Sequence, residues 1–124
     1  MMKHMKIIAI TFMLLFAMTQ LSAGESIFMS VAKYQDLKKS SPEKIDTYLS
    51  GALAGFTLTN AMLENNKQKK LYCIPDSKTI NTKDLRSIID LAIGVSVEAN
   101  IKDVSKRDVA AFSLWVLIDV YPCK

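Results

Sequence analysis

The sequence predicts an all-α fold, a small four-helix bundle-like domain, and three observations predict it. Apolar residues recur at helical spacing in four stretches separated by polar joints. Runs of alternating β-branched residues, the mark of half-buried strands, are few. Helix-start residues stand ahead of the later stretches, at Ser40-Ser41-Pro42, Thr82 and Ser105.

Ahead of the bundle, residues 1–24 have the layout of a signal peptide. Lys3 and Lys6 form a basic start, an apolar run of 12 residues extends from Ile7 to Met18, and Ser22, Ala23 and Gly24 give a small-residue exit. A membrane span needs ~20 apolar residues, so this run predicts export and cleavage, before Gly24 or before Glu25, and no anchoring. No cysteine at the exit invites lipid attachment. The expected division is therefore a signal peptide at 1–24 and one helical domain at 25–124.

Removal of the signal takes Lys3 and Lys6, so the 16 basic residues fall to 14 against 12 acidic ones. So even a balance argues against nucleic acid, which calls for a basic stripe facing many phosphates. The one clustered charge, Lys67, Lys69 and Lys70, reads as a solvated loop. His4, the single histidine, lies in the signal. The mature chain thus lacks Ser-His and Cys-His pairs, imidazole metal ligands and histidine acid–base chemistry. Ser77-Lys78 and Ser105-Lys106 match no nucleophile motif. The expectation is a protein that is not an enzyme and has no cofactor and no metal.

Export places Cys73 and Cys123 in an oxidising compartment, where a disulfide is the default. Bridging them closes a loop of about 51 residues. Chain entropy values such a loop at ~4 kcal/mol, a large share of a small domain's stability.

The first helix is expected over about Ser26 to Lys39, with Phe28, Val31, Ala32 and Gln35 on one side. Ser40-Ser41-Pro42-Glu43 then offers a capping hydroxyl and a proline at the first helical position, where a missing N–H costs nothing. Ile45, Tyr48, Leu49, Ala52, Phe56 and Leu63 form the stripe of a second amphipathic helix ending near Leu63 or Glu64. Gly51 and Gly55 beside that stripe each lower helix propensity by up to ~1 kcal/mol, which close approach of a neighbouring helix would offset.

Residues 64–71 form a polar connector, and Tyr72-Cys73-Ile74-Pro75 is extended because a residue before proline avoids the α region. Thr82 is expected to cap a third helix ending near Asn100, with Leu85, Ile88, Ile89, Ala92, Ile93, Val95 and Ala99 on its apolar face. Ser105, with Asp108 three residues on, resembles a capping box for the last helix. From Val109 to Ile118 only Ser113 is polar. Phe112 and Trp115 fall roughly 60° apart, so apolar side chains surround the axis. Such a helix is either the central element of the domain or is partly covered by another chain. Tyr121-Pro122-Cys123 ends it and carries the second sulfur toward the extended segment.

Leu71-Tyr72-Cys73-Ile74-Pro75, then Thr79 or Thr82 with Asp84-Leu85, an Ile/Leu-rich helix, and a last helix ending Tyr121-Pro122-Cys123 resemble the type VI secretion amidase immunity proteins, the Tai/Rap family. With the upstream Tyr48-to-Gly55 helix the resemblance covers about 75 residues. It implies a periplasmic, mostly helical protein, often a homodimer, that binds and blocks a cognate cell-wall amidase effector, with no membrane association once the signal is removed. Two features depart from the family. The joint Asn100-Ile101-Lys102-Asp103-Val104-Ser105 stands where members often carry a proline and a histidine, and an additional N-terminal cysteine is absent. The effector's identity therefore stays open.

An inhibitor of this kind needs a rigid body presenting a loop. The polar joints at 64–70 and 100–106 are the two candidates, although each also suits an ordinary solvent-exposed turn. The second is preferred because it is short and held between two strong helices, so ordering it costs less entropy. Asn100, Lys102, Asp103 and Ser105 are accordingly the expected partner contacts. The alternative from another class is a periplasmic chaperone or stress protein that holds unfolded clients on exposed apolar surface of the last helix.

Overall fold

The computed structural model describes residues 28–124. The expected signal peptide at 1–24, its cleavage site, and the expected helix start at Ser26 lie outside the described residues. Within them the protein is all-α: α1 at Val31–Ser40, α2 at Pro42–Asn65, α3 at Thr82–Glu98 and α4 at Val109–Val120, with a single 3₁₀ turn at Val104–Lys106 before α4. No β-strand is present among the described residues. The only ladder-like pairing there is an isolated antiparallel bridge between Ser30 and Asp108.

α1 is shorter than expected and buries a different face. Ser30 caps it, its side chain accepting a hydrogen bond from the Lys33 N–H at 3.1 Å. Val31 and Tyr34 point into the core, while Phe28, Ala32 and Gln35 are exposed. The reason lies just upstream, where Met29 is fixed by backbone pairing. Val31 donates to the Arg107 carbonyl at 2.9 Å, and Val109 donates to the Met29 carbonyl at 2.8 Å. That pairing sets the rotation of α1 before its first turn begins.

α2 starts at Pro42 as expected, but Ser41 at its N-cap makes no side-chain capping bond. Its inward stripe runs through Ile45 and Leu49, both fully buried, with Tyr48 and Phe56 packed at the edge. Gly51 and Gly55 do not receive a neighbouring helix. A Cβ built on either would meet nothing within 4 Å, so close approach does not explain them. The end of α2 is a Schellman turn with Lys67 left-handed at φ 55°. Lys67 donates to Glu64 at 3.0 Å and Gln68 to Leu63 at 2.8 Å, satisfying two of the last carbonyls.

α3 is capped by Asn81, one residue before the Thr82 expected. The Asn81 side chain accepts from the Asp84 N–H at 2.9 Å and the Asp84 carboxylate accepts from the Asn81 N–H at 3.0 Å, a reciprocal box. Leu85, Ile89 and Ile93 are its buried face, one residue per turn. Ile88 and Ala92 are half-buried, and Val95 and Ala99 are exposed. Arg86 reaches α2, where its guanidinium pairs with Asp46 and donates to the Pro42 carbonyl at 3.4 Å.

α4 is capped by Asp108, which accepts from the Ala111 N–H at 2.9 Å; Ser105, expected in that role, lies in the 3₁₀ turn. Val109, Ser113 and Leu117 face inward and are fully buried. The one polar residue of the apolar run is therefore on the core side, its hydroxyl satisfied by donation to the Ala110 carbonyl at 2.8 Å. Trp115 points out and is 70% exposed. The central-core arrangement for α4 is thus not the one adopted. α4 packs on α3 and, more lightly, on α2, and leaves its opposite side open.

The disulfide joins Cys73 to Cys123, 50 positions apart in sequence, with 4.9 Å between their Cα atoms. It ties the end of α4 to the extended segment that follows α2. The Cys73 N–H also donates to the Tyr121 carbonyl at 2.8 Å. Asn60 of α2 holds the same segment through both ends of its amide, accepting from the Leu71 N–H at 2.8 Å and donating to the Tyr72 carbonyl at 2.9 Å. Tyr72 is buried behind this clamp.

Candidate functional site

Asn100, Lys102, Asp103 and Ser105 lie together on the joint between α3 and α4, and all four are exposed. The joint is a built structure. Asn100 is left-handed at φ 55°, donating to Val97 at 3.1 Å, and Ile101 donates to Ser96 at 3.0 Å. These two bonds make a second Schellman turn, with asparagine at the position that usually takes glycine. Asp103 is also left-handed, at φ 61°. Beyond it Lys106 donates to Asp103 and Arg107 to Val104, each at 3.1 Å, closing the 3₁₀ turn.

Val104 is the anchor of this joint. Its side chain is buried against the core, and the turn that carries it contacts both α1 and α3. Its polar neighbours are thereby held outward on a backbone whose hydrogen bonds are internal. Lys106 and Asp103 form an ion pair at 3.1 Å that is mostly solvated and contributes little to stability. The joint at 64–70 is likewise a capped turn, with a Lys70–Glu64 pair at 3.3 Å.

Beside the 100–106 joint runs a feature that periodicity alone does not resolve. α3 and α4 form a helical hairpin, and the groove along its outer side has a volume of about 590 Å³. Leu91 and Val95 wall it from α3, Trp115 and Val120 from α4. All four are exposed, Leu91 by 72%. Ser96 and Asp119 are its polar lining residues. The wide apolar face of α3 and the apolar surplus of α4 were the signals for it. One side of each helix fills the core, and the remaining apolar residues meet in the groove.

The titratable groups that depart from ordinary behaviour are structural tyrosines. Burial, then the hydrogen bond to Asp90, pushes the Tyr34 phenol well above its usual range. Burial likewise raises Tyr48, with the Asp108 charge adding to it, and raises Tyr72. None of the three lines the groove. Among the described residues no group of three or more histidine, cysteine, aspartate or glutamate side chains is placed to hold a metal ion. No helix there is long and apolar enough to cross a membrane.

What the joint and groove offer chemically is recognition: hydrogen-bonding and charged side chains on a fixed turn, next to a strip of exposed apolar surface. Comparison with known protein families, characterised proteins and solved structures finds no match to this chain.

Proposed function

We propose that the mature chain is a periplasmic immunity protein that binds and inhibits a peptidoglycan amidase effector of type VI secretion. The reading rests on the resemblance carried by Tyr72-Cys73-Ile74-Pro75 and Tyr121-Pro122-Cys123. The observation that supports it best is the 100–106 joint. Its backbone is closed by its own hydrogen bonds and anchored by buried Val104, while Asn100, Lys102, Asp103 and Ser105 project from it. A loop ordered in advance binds without the entropy cost of fixing it, which is what an inhibitor that plugs a cleft requires. In this reading the joint enters the effector, export delivers the protein to the compartment where the effector acts, and the disulfide preserves the body that carries the joint.

The test is stoichiometric titration. Oxidised mature protein is added to peptidoglycan amidase effectors of type VI secretion, and cell-wall hydrolysis is followed. Loss of activity reaching completion near one equivalent is the expected result. Unchanged hydrolysis at excess protein would remove the proposal.

The second reading, a chaperone for unfolded envelope proteins, is favoured by the exposed apolar strip of Leu91, Val95 and Trp115. Suppression of aggregation of several unrelated denatured proteins, with no effect on any amidase, would select it.

A further inference from the structure

We propose that the groove between α3 and α4 is the seat of an amphipathic helix from a partner protein, a helix about two turns long that places a basic side chain against Asp119. The inference deepens the reading of this chain as a protein-binding body and adds a second contact surface to the 100–106 joint.

Four observations select this occupant. The groove is lined by apolar side chains of which Leu91, Val95, Trp115 and Val120 are 72%, 57%, 70% and 48% exposed. So contiguous a strip on a small domain marks a place where another apolar surface is covered. Second, both walls are α-helices, whose backbone N–H and C=O groups are spent on their own ladders. An extended peptide gains affinity by main-chain pairing with a sheet edge, and no such edge exists here, so recognition falls to side chains, the mode in which a helix lies in a groove.

Third, the α3 wall runs from Ile88 to Ser96, a rise of about 12 Å at 1.5 Å per residue. That length accepts anchors at i, i+3 or i+4, and i+7 of a partner helix, the spacing of one apolar face over two turns. Fourth, Asp119 is the one charged residue among those lining the groove, and it is exposed. It takes part in none of the ion pairs formed among the described residues. A lone carboxylate at the edge of an apolar groove favours a cation on the occupant and disfavours an anion there.

The protein contains its own reporter. Trp115 is the only tryptophan in the chain and stands on the groove wall. A helix seated there would bury its indole and move its emission to shorter wavelength. The probe is a blocked synthetic peptide of about 18 residues, long enough to form a helix, made of alanine with leucines at i, i+4 and i+7 and lysines flanking them. Its counterpart carries glutamates in place of the lysines, and a third version has a central proline.

Saturable blue-shifting of Trp115 by the lysine peptide is expected, about two- to fivefold tighter than the glutamate peptide at physiological salt. Asp119→Lys should reverse that preference, and Leu91→Glu should weaken both peptides at least tenfold. Both substituted positions are exposed, so far-UV circular dichroism should be unchanged. Absence of a shift with either peptide, equal binding of the proline-broken version, or a charge preference that ignores Asp119→Lys would overturn the proposal. A blue shift that grows with protein concentration and no peptide would assign the groove to a second copy of this chain and overturn it as well. Amidase inhibition is read separately on Leu91→Glu, so failure of the groove and failure of the immunity reading are distinguishable.

Discussion

The phenol of Tyr34 on α1 donates a hydrogen bond of 2.8 Å to the carboxylate of Asp90 on α3, 56 positions later in the sequence. The other carboxylate oxygen is taken by Lys38, one turn beyond Tyr34, at 2.7 Å. Two successive turns of α1 thus hold one acidic residue of α3. Tyr34 is fully buried, while Asp90 and Lys38 are about one-third exposed, so the phenol is the member with most at stake.

Tyr34→Phe keeps the ring packing and removes the donor. Hydrogen bonds to charged groups contribute ~1.5–3 kcal/mol, and because Asp90 retains Lys38 and partial hydration the expected loss is the lower part of that range, about 1.5–2 kcal/mol at pH 7. The difference should shrink in alkali. The phenol is held protonated in the fold above its ordinary value, so the unfolded chain loses that proton first as pH rises past ~10. The bond's contribution is therefore complete below pH ~10 and declines above it. Urea unfolding of both proteins at pH 7 and at pH 10.5 measures this, and a gap that widens in alkali would refute it.

Gly51→Ala and Gly55→Ala should each stabilise the protein. Both glycines are in the interior of α2 with negative φ, and an added methyl group meets nothing within 4 Å. Alanine then gains ~0.5–1 kcal/mol from helix propensity and from a less disordered unfolded chain. A rise in Tm of several degrees for the double variant is expected from calorimetry. A fall would mean that another surface approaches α2 at these positions after all.

Cys73→Ser should cost ~2–5 kcal/mol, the range for small domains that lose a native bridge, and should melt together with reduced wild type. Asn60→Ala probes the same corner without touching sulfur. It leaves the half-buried backbone groups of Leu71 and Tyr72 without their partner, at about 1–3 kcal/mol. In the reduced protein, where Asn60 is one of the remaining ties on this segment, the same substitution should cost at least as much. Additive losses measured by denaturant titration of the double variant would show the two ties to be independent.

The elements of this fold were legible because each has a strong local cause. Pro42 behind a serine pair favours the first turn of a helix and is barred from a helix interior, the residue before Pro75 is driven out of the α region, and Cys73 with Cys123 had one available pairing. The misplaced helix caps are choices among near-equal neighbours. Asn81 and Thr82 are both competent caps, and Asn81 won because Asp84 stands three residues on and closes the box. Asp108 displaced Ser105 because Ser105 is itself part of the 3₁₀ turn Val104–Lys106. In α4, an apolar run with one serine gives no directional signal, so nothing local told that Ser113 would face the core and Trp115 the solvent. The groove followed from that rotation, and the rotation follows from the disulfide and from the Met29–Val109 pairing, both long-range. For the 100–106 joint, sequence placed the residues but could not supply the left-handed turns at Asn100 and Asp103 that fix their directions.

Those turns make the joint testable apart from the body. Asn100→Gly retains the left-handed turn and deletes the amide, whereas Asn100→Val strains it by ~1–2 kcal/mol. If the joint acts through its shape, inhibition of the amidase survives the glycine and weakens with the valine; if the amide itself touches the effector, both variants lose it. Lys102→Glu changes charge at an exposed position and should leave stability within ~0.5 kcal/mol. Insertion of this joint predicts that this variant, at unchanged Tm, binds the effector at least tenfold more weakly, chiefly through faster dissociation. Binding kinetics by surface plasmon resonance give that number directly. An effector that binds Lys102→Glu and both Asn100 variants as tightly as wild type does not contact this joint, which would leave the capped turn around Lys67 as the inserting element.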